Sequence, residues 1–525
     1  MTITAGPWAP LRNPVFRLLW LAVLAGNAGT WMQTVGAQWL VVQEPDPATW
    51  TSLVQAATTL PVLMFALPAG TLADALDRRR LLLAVQIGLF LVAATLTALA
   101  ALDHLPPALL LIFTFLLGCG QALTLPSWQA VIPEVVPHDE LPAASALGAV
   151  NTNLARSAGP AIGGLLVAQF GSALVFGLNA LSFAIFAFAL IRWRRDPQPP
   201  TGHPERFGSA LRAGGRYVRW SPVVRRILGR VALFVLPGSA IWALLPVVAR
   251  QELGLGAQGY GVLLAALGVG AIAGALLMPR ARRILRTDQM IVGTGLVYGA
   301  ALAVIAFVPN RFAVVPMLVA AGLAWMMLVS RMNAAMQLAL PNWVRARALA
   351  IYQLVFAGGQ ALGALIWGQF ASAFGLVATF ATAAVLMAAG LCTVRLWPVH
   401  THEDEDHSPA VYWPEPHLLF QPNLEDGPVL VSATYEVPQD NIAAFTTAMR
   451  RVRGSRMRTG ASQWGLFRDG TQPDTFVEVY LVPTWDVHLR QHEGRLTESD
   501  EQAEQHAISL AKAPPRVTHL LATDS

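Results

Sequence analysis

The chain has 525 residues, of which 54% are hydrophobic and 13% charged, and its mean hydropathy is +0.49. Soluble domains carry roughly 25% charged residues, so this composition excludes a wholly water-soluble globular protein. The net charge of +5 is gathered into particular loops, which points to membrane topology rather than nucleic acid; the two cysteines, Cys119 and Cys392, lie inside apolar runs, which argues against a disulfide framework or a thiolate metal centre.

Apolar runs of about 20 residues or more recur from Val15 to Trp397 and are long enough to cross a bilayer. They predict twelve spans, near 15–42, 50–73, 80–102, 106–132, 142–170, 173–191, 228–250, 258–279, 288–308, 312–338, 347–371 and 374–396. Arg12 and Arg17 precede a first span too long for a signal-peptide core, so no cleavable leader is expected. With the N-terminus inside, the cytoplasmic loops hold Arg78–Arg80, Arg192 to Arg230, Arg280 to Arg286, Arg345 and Arg347. The outer loops hold little beyond Arg250 and Arg311. That asymmetry predicts a multi-pass protein of the inner (plasma) membrane with both termini cytoplasmic.

In span one, Asn27, Trp31, Thr34 and Gln38 recur at helical spacing and form a polar, aromatic face. Gln121, Thr124 and Trp128 do the same in span four, and Gln353, Phe356, Gln360 and Trp367 in span eleven. Such faces can stack on ring systems and hydrogen-bond their substituents, or serve as glue between helices. Between spans two and three stands Gly70-Thr71-Leu72-Ala73-Asp74, followed by Asp77 and three arginines, Arg78, Arg79 and Arg80. A glycine permits close helix approach, and an aspartate one turn on can face the positive end of a neighbouring helix. Asp74 is expected against the start of span eleven, near Arg78 and Arg345.

Span five carries Gly159-Pro160-Ala161-Ile162-Gly163-Gly164, where small residues allow tight crossing and proline loosens the helix. Intramembrane charge is costly and commonly lines a cavity. Arg156 lies about 21 Å into span five by helical rise, near mid-membrane, with Asn153 three residues away. Arg331 lies deep in span ten beside Asn333 and Gln337. No Asp or Glu stands well inside a span: Asp74, Glu134 and Glu252 are all near ends. A proton antiporter with a buried carboxylate is therefore not indicated; a positive cavity for an anionic or hydrogen-bonding substrate fits better. Arg156 could instead bond carbonyls freed near Pro160. A shift of 200 residues matches Gly159 with Gly359, Gly163 with Gly363 and Gln169-Phe170 with Gln369-Phe370, as parallel six-helix repeats would.

The predicted divisions are a six-helix half over 1–192, a central cytoplasmic loop over 193–227, a second half over 228–397, a linker over 398–428 and a soluble domain over 429–525. In the last, strands near 429–437, 462–468, 475–482 and 516–521 alternate with helices after Asp440, near 485–493 and near 497–512. The order β-α-β-β-α-β is that of a ferredoxin-like fold. Such a sheet has one uncovered face, where Trp464 or Phe467 is expected, and it should seek a partner. His488 and His492, four apart, share a helix face, but no third ligand is evident, and no metal or cofactor is expected. No Gly-x-x-x-x-Gly-Lys-Ser/Thr phosphate loop is present, which argues against direct nucleotide drive.

The Gly70–Arg80 segment resembles the loop motif of the major facilitator superfamily, and Gly159–Gly164 resembles its antiporter motif. Three features depart from the superfamily pattern: Asp77 replaces a second glycine, Met278 replaces the aspartate in the second half, and span four lacks an arginine before its glycines. The segments 16–20, 27–33 and 259–261 resemble the enterobactin-exporter-like branch. The core with its tail is similar to the bacterial transmembrane secretion effector family, and the tail more loosely to the dimeric α/β barrels that include antibiotic-biosynthesis monooxygenases. The resemblance implies the twelve-helix major facilitator fold, an ion gradient as energy source, and export of hydrophobic or siderophore-like small molecules. It also implies gating by Gly70, Asp74, Arg78 and Arg79, and a homodimer through the tail. The expected protein is a carrier of small molecules in a lipid bilayer, neither an enzyme nor a nucleic-acid binder. The alternatives are a transporter-like anchor for a monooxygenase-like domain, and an importer on the same scaffold.

Overall fold

A computed structural model of the chain describes residues 6, 8–75, 77–193, 207–399, 410 and 422–522. Helices begin where the sequence offers a cap or a proline. Asn13 accepts from the Val15 amide at 2.9 Å ahead of α1 (Pro14–Val41), and Asp77 accepts from the Arg80 amide at 2.8 Å ahead of α3 (Arg78–Ala101). Asp77, which departs from the superfamily pattern, thus serves as a helix cap. Between and after these run α2 (Pro47–Ala75), α4 (Pro107–Val135), α5 (Leu141–Phe170) and α6 (Ser172–Arg192).

The short amphipathic α7 (Phe207–Trp220) lies in the segment read from sequence as a loop. The second series is α8 (Pro222–Val247) with a π turn at Val248–Glu252, α9 (Ala257–Ile284), α10 (Thr287–Phe307), α11 (Arg311–Leu338) and α12 (Asn342–Cys392). Gly375, with φ of +80°, interrupts the 51 residues of α12, and only glycine adopts that backbone readily. Among the described residues, nine helices are long and apolar enough to cross a membrane. Many large apolar side chains point outward, among them Leu91, Ile112, Phe188 and Leu276, as a lipid-facing surface requires.

Two arginines close the ends of helices. Arg79 donates to the carbonyls of Leu190 and Ile191, at 2.8 and 3.0 Å, where α6 ends. Arg230 donates to the carbonyls of Gly390, Thr393 and Trp397 at the end of α12. Both satisfy carbonyls that a terminating helix leaves without partners.

The chain divides into two compact units. One holds residues 1–201, 229–332 and 352–398. The other joins residues 202–228 and 333–351 to the tail from residue 399. The tail contains β1 (Val429–Glu436), α13 (Ile442–Thr459), β2 (Gln463–Arg468), β3 (Thr475–Val482), α14 (Trp485–Arg490), α15 (Glu498–Ser509) and β4 (Arg516–Leu521). Its strands form one antiparallel sheet in the order β2-β3-β1-β4. Alternate residues Val429, Val431, Ala433 and Tyr435 are buried, and Phe445, Met449 and Val452 of α13 share their core. α13 starts after a 3-10 turn at Gln439–Asn441, with no side-chain cap, so Asp440 is not the cap its position suggested.

Candidate functional site

The six residues 159–164 of α5 touch two different helices. A Cβ at Gly159 would lie 2.7 Å from the Cβ of Trp31, and one at Gly163 would lie 2.9 Å from the Cα of Met32, so both glycines press on α1. Gly164 faces the other way, onto α9: a Cβ there would lie 2.6 Å from the Ala257 carbonyl oxygen. The symmetry-related Gly359 and Gly363 press on α8 at Val235 and Ser239. The 200-residue repeat read from sequence therefore has a geometric counterpart, since the same glycine pair packs on the first helix of each series. In α5 the seam continues two turns back from Gly164, where Gly268 of α9 meets Ser157.

Beside this seam, the Arg156 guanidinium carbon lies 5.9 Å from the centre of the Trp31 ring. Trp31 in turn faces Trp242 of α8 at 6.2 Å, and Trp242 meets Trp325 of α11 at 5.8 Å. Trp325 packs on Phe356 of α12 at 6.0 Å. Among the described residues the buried Arg156 Nε has no hydrogen-bond partner. It is a cation with an unused donor beside Trp31 of α1, the first ring of an aromatic series that runs on through α8, α11 and α12. Such a group can hold a flat, acceptor-rich or anionic molecule by stacking and charge-assisted hydrogen bonding.

The other residues singled out from sequence distribute around this group. Asn27 donates to Asn151 at 2.9 Å and lines a cavity of about 190 Å³ with Gln86, Gln121 and Trp128. Gln38 is fully buried, bonded to Gln55 at 3.3 Å and accepting from the Tyr260 hydroxyl of α9. Asn153 donates to the Ala149 carbonyl within its own helix at 2.8 Å, so its amide is turned to its own backbone. Arg331 donates to the Thr287 hydroxyl where α10 starts, which makes it a tie between helices. Gln353 is exposed and Gln360 half-buried.

Arg78 pairs with Glu134 at 2.8 Å and also donates to the Ala130 carbonyl, tying α3 to α4. Arg345 donates to the Leu340 carbonyl at 3.3 Å. Gly70 and Asp74 lie in α2, but their side-chain surroundings fall outside the described residues. Sequence reasoning missed Trp242, Trp325 and Tyr260 as members of the seam. The signal was present only as lone aromatic residues within otherwise small or aliphatic runs.

In the tail, Glu478 is fully buried and accepts from the Trp464 indole at 2.8 Å and the Tyr435 hydroxyl at 3.2 Å. Arg456 bonds it at 3.4 Å and Glu504 at 2.5 Å. Burial opposes the Arg456 charge, but Glu504, Tyr480 and Glu478 more than offset this and hold its pKa above the ordinary value. Trp464 is therefore on the helix-covered side of the sheet, and Phe467, 60% exposed, is on the open side. The two are separated by an odd number of positions in one strand, so they could not share a face.

His488 and His492 bring their Nε2 atoms to 3.2 Å, and His519 of β4 joins them with its ring 4.9 Å from that of His488. Among the described residues no group of three or more His, Cys, Asp or Glu is placed to hold a metal ion.

Paired helical series, a lipid-facing exterior and a cationic, aromatic site on a glycine seam define a membrane transporter of the major facilitator type. The chain belongs to the transmembrane secretion effector family, which matches it over residues 5–525. It is 30% identical over 402 residues to the multidrug efflux pump Tap of Mycobacterium tuberculosis, covering 73% of this chain and 94% of that protein. It is 27% identical to the enterobactin exporter EntS of Salmonella typhi, covering 68% of this chain and 85% of that protein. A staphyloferrin A transporter of Staphylococcus aureus is 24% identical, with 67% and 88% covered. Among solved structures, a peptide-bound POT family transporter superposes with a TM-score of 0.61 at 13% identity, over 74% of this chain and 96% of its own. A bacterial homolog of the lysosomal transporter Spinster, inward-facing and unoccupied, gives 0.58 at 15% identity, over 75% and 96%. The chain is a transporter and not an enzyme.

Proposed function

We propose that this chain exports small hydrophobic or siderophore-like molecules across the inner membrane, by alternating access of two six-helix halves. The observation that carries the reading is the Arg156–Trp31–Trp242 group, set where α5 of the first series crosses α9 of the second and Trp31 of α1 meets Trp242 of α8. A site at the seam of two repeats is reached from either side as the halves rock. Names of relatives support the substrate class: a multidrug efflux pump and an enterobactin exporter both handle small molecules. On this reading twelve helices span the membrane, both termini are cytoplasmic, and the halves comprise residues 1–192 and 228–397. Gly70, Asp74, Arg78 and Arg79 form the cytoplasmic gate. Gly159, Pro160, Gly163 and Gly164 form the crossing on which the halves turn. Asn27, Gln353 and Gln360 extend the substrate path from the Arg156 group, and Gln38, Asn153 and Arg331, bonded to neighbouring helices or to their own backbone in this state, flank it.

The test is accumulation in a host stripped of its own exporters, with aromatic antibiotics, dyes and catecholate siderophores as probes. Lower accumulation on expression is expected for at least one of these, and flux in oriented vesicles should run outward. Inward flux would replace the export reading with the importer. Unchanged accumulation of all three classes would remove the substrate assignment.

We also infer that the tail, a ferredoxin-like domain related to monooxygenase-type barrels, pairs with a second copy through its open sheet face. That face presents Phe467, 60% exposed, and Leu520, 52% exposed, with Leu430 and Val479 between them. Cross-linking of the full chain in detergent should give a dimer that Phe467→Glu abolishes. A monomer at all concentrations would end this reading.

A further inference from the structure

The second compact unit holds a cleft of about 1290 Å³ whose chemistry the transport reading does not use. Arg219, Arg225 and Arg226 enter it from the end of α7 and the start of α8. Arg450, Arg451, Arg453 and Arg458 enter it from α13. Among the described residues one carboxylate lines it, Asp500, and that group is already paired with Arg458 at 2.5 Å. Ser499 and Gln502 of α15 add polar groups to the wall.

Arg219, Arg225, Arg450, Arg451 and Arg453 are solvent-exposed around this one concavity, and like charges gathered there raise the potential that draws in an anion. Arg450 and Arg458 are eight residues apart on α13, with Gly454 halfway between them on the same face. The glycine gives the Arg458 guanidinium room to fold back along the helix: a Cβ at Gly454 would lie 3.2 Å from Arg458 Nη1. Arg453 is held by the rings of Trp220 and Trp464, at 5.3 and 5.7 Å, so the wall from α7 and the wall from α13 are joined by a fixed side chain. The volume exceeds the roughly 300–1,000 Å³ typical of small-molecule sites, too large for one inorganic ion to fill. Guanidinium forks on opposite walls match an anion whose charge is spread over several tetrahedral oxyanion groups.

We propose that this cleft binds a phosphate-bearing polyanion, which bridges the segment between the two helical series to the tail. The shared chemistry is the phosphate, whether on a soluble polyphosphate compound or on the headgroup of an anionic phospholipid. This does not rest on the export reading, because it concerns a different unit and a different ligand.

The full chain in neutral maltoside detergent is titrated with sodium tripolyphosphate while hydrogen exchange is followed. Separately it is placed in phosphatidylcholine nanodiscs with and without phosphatidylglycerol. Protection is expected over residues 212–228 and 442–459. Arg225→Gln, Arg450→Gln and Arg451→Gln combined should weaken binding by about tenfold or more while leaving the exchange of the unliganded protein unaltered. Arg450→Lys with Arg451→Lys keeps the charge without the fork and should give a smaller loss. Protection by tripolyphosphate alone supports a soluble ligand, and protection by phosphatidylglycerol alone supports the lipid headgroup. Failure of both probes, equal binding in the triple glutamine variant, or equal affinity for citrate would overturn the proposal.

Discussion

Gly164 of α5 and Gly261 of α9 meet backbone to backbone, such that a Cβ on Gly164 would lie 2.8 Å from the Cα of Gly261. No side chain fits between the two helices there, and the crossing belongs to the seam on which the alternating access we propose depends. Gly164→Val is expected to force the helices apart, an overpacking penalty of about 1–3 kcal/mol that falls on the state containing this contact. Flux should drop by about tenfold or more while insertion persists. Gly88→Val in α3, where a Cβ would meet nothing within 4 Å, is the control. Equal flux in both variants would refute the argument.

Arg156 offers a charge and an unused Nε donor beside Trp31. Arg156→Ala should abolish transport of anionic or acceptor-rich substrates, and Arg156→Lys should retain part of it without the planar fork. Trp31→Phe should keep stacking but weaken the cation–π contact, with a smaller loss of about 0.5–2 kcal/mol in apparent affinity. The measurement is initial efflux rate against substrate concentration. Wild-type kinetics in Arg156→Ala would leave the arginine with a packing role only.

Much of this was legible in the sequence because each signal was local. The nine membrane-length helices among the described residues follow from apolar run length. The tail strands follow from alternation, and the turn between β2 and β3 is closed by Asp469 accepting from the Thr471 amide at 2.7 Å. Long-range partners were not legible: nothing near Gln38 announces Tyr260, 222 residues away. α7 was missed because Gly214 and Gly215 interrupt a short arginine-rich stretch that reads as a loop. Its apolar side becomes meaningful only against a partner, as when Tyr217 meets the Trp343 ring edge-on at 5.8 Å. One missed clue was readable. Glu478 sits between Phe476 and Tyr480 on the inward register of β3, and a carboxylate there demands a buried partner.

That partner is Arg456, so removing one member should be far worse than trimming a surface pair. Glu478→Leu takes one carboxylate partner from the buried Arg456 charge and strips the Trp464 and Tyr435 hydrogen bonds. The expected loss is about 3–5 kcal/mol of tail stability, read as rapid proteolysis after residue 427 with the membrane core intact. Asp486→Ala, which removes a half-exposed pair with Arg490, should change stability by less than about 1 kcal/mol. Similar proteolysis of the two variants would contradict the buried-network account.

The histidine cluster makes the tail sensitive to acid. Burial first, then the neighbouring His519, pushes the pKa of His488 from 6.5 down to about 4. Burial and then His488 push His492 down as well, and burial alone lowers His519. A histidine depressed in the folded state stays neutral there while the unfolded chain takes up the proton. The stabilisation is therefore complete above about pH 6.5 and is lost as the pH falls toward 4, by up to about 1.4 kcal/mol per pH unit for each such proton. The tail should resist protease at pH 7.5 and become more susceptible near pH 5, since each such proton removes about 2 kcal/mol between pH 6.5 and 5 from a typical stability of about 5–15 kcal/mol. His488→Gln fills much of the same space without titrating in this range and should flatten the pH slope, even if it lowers stability at pH 7.5. An unchanged slope between pH 7.5 and 5 in that variant would show that the carboxylates, and not the histidines, govern acid unfolding of the tail.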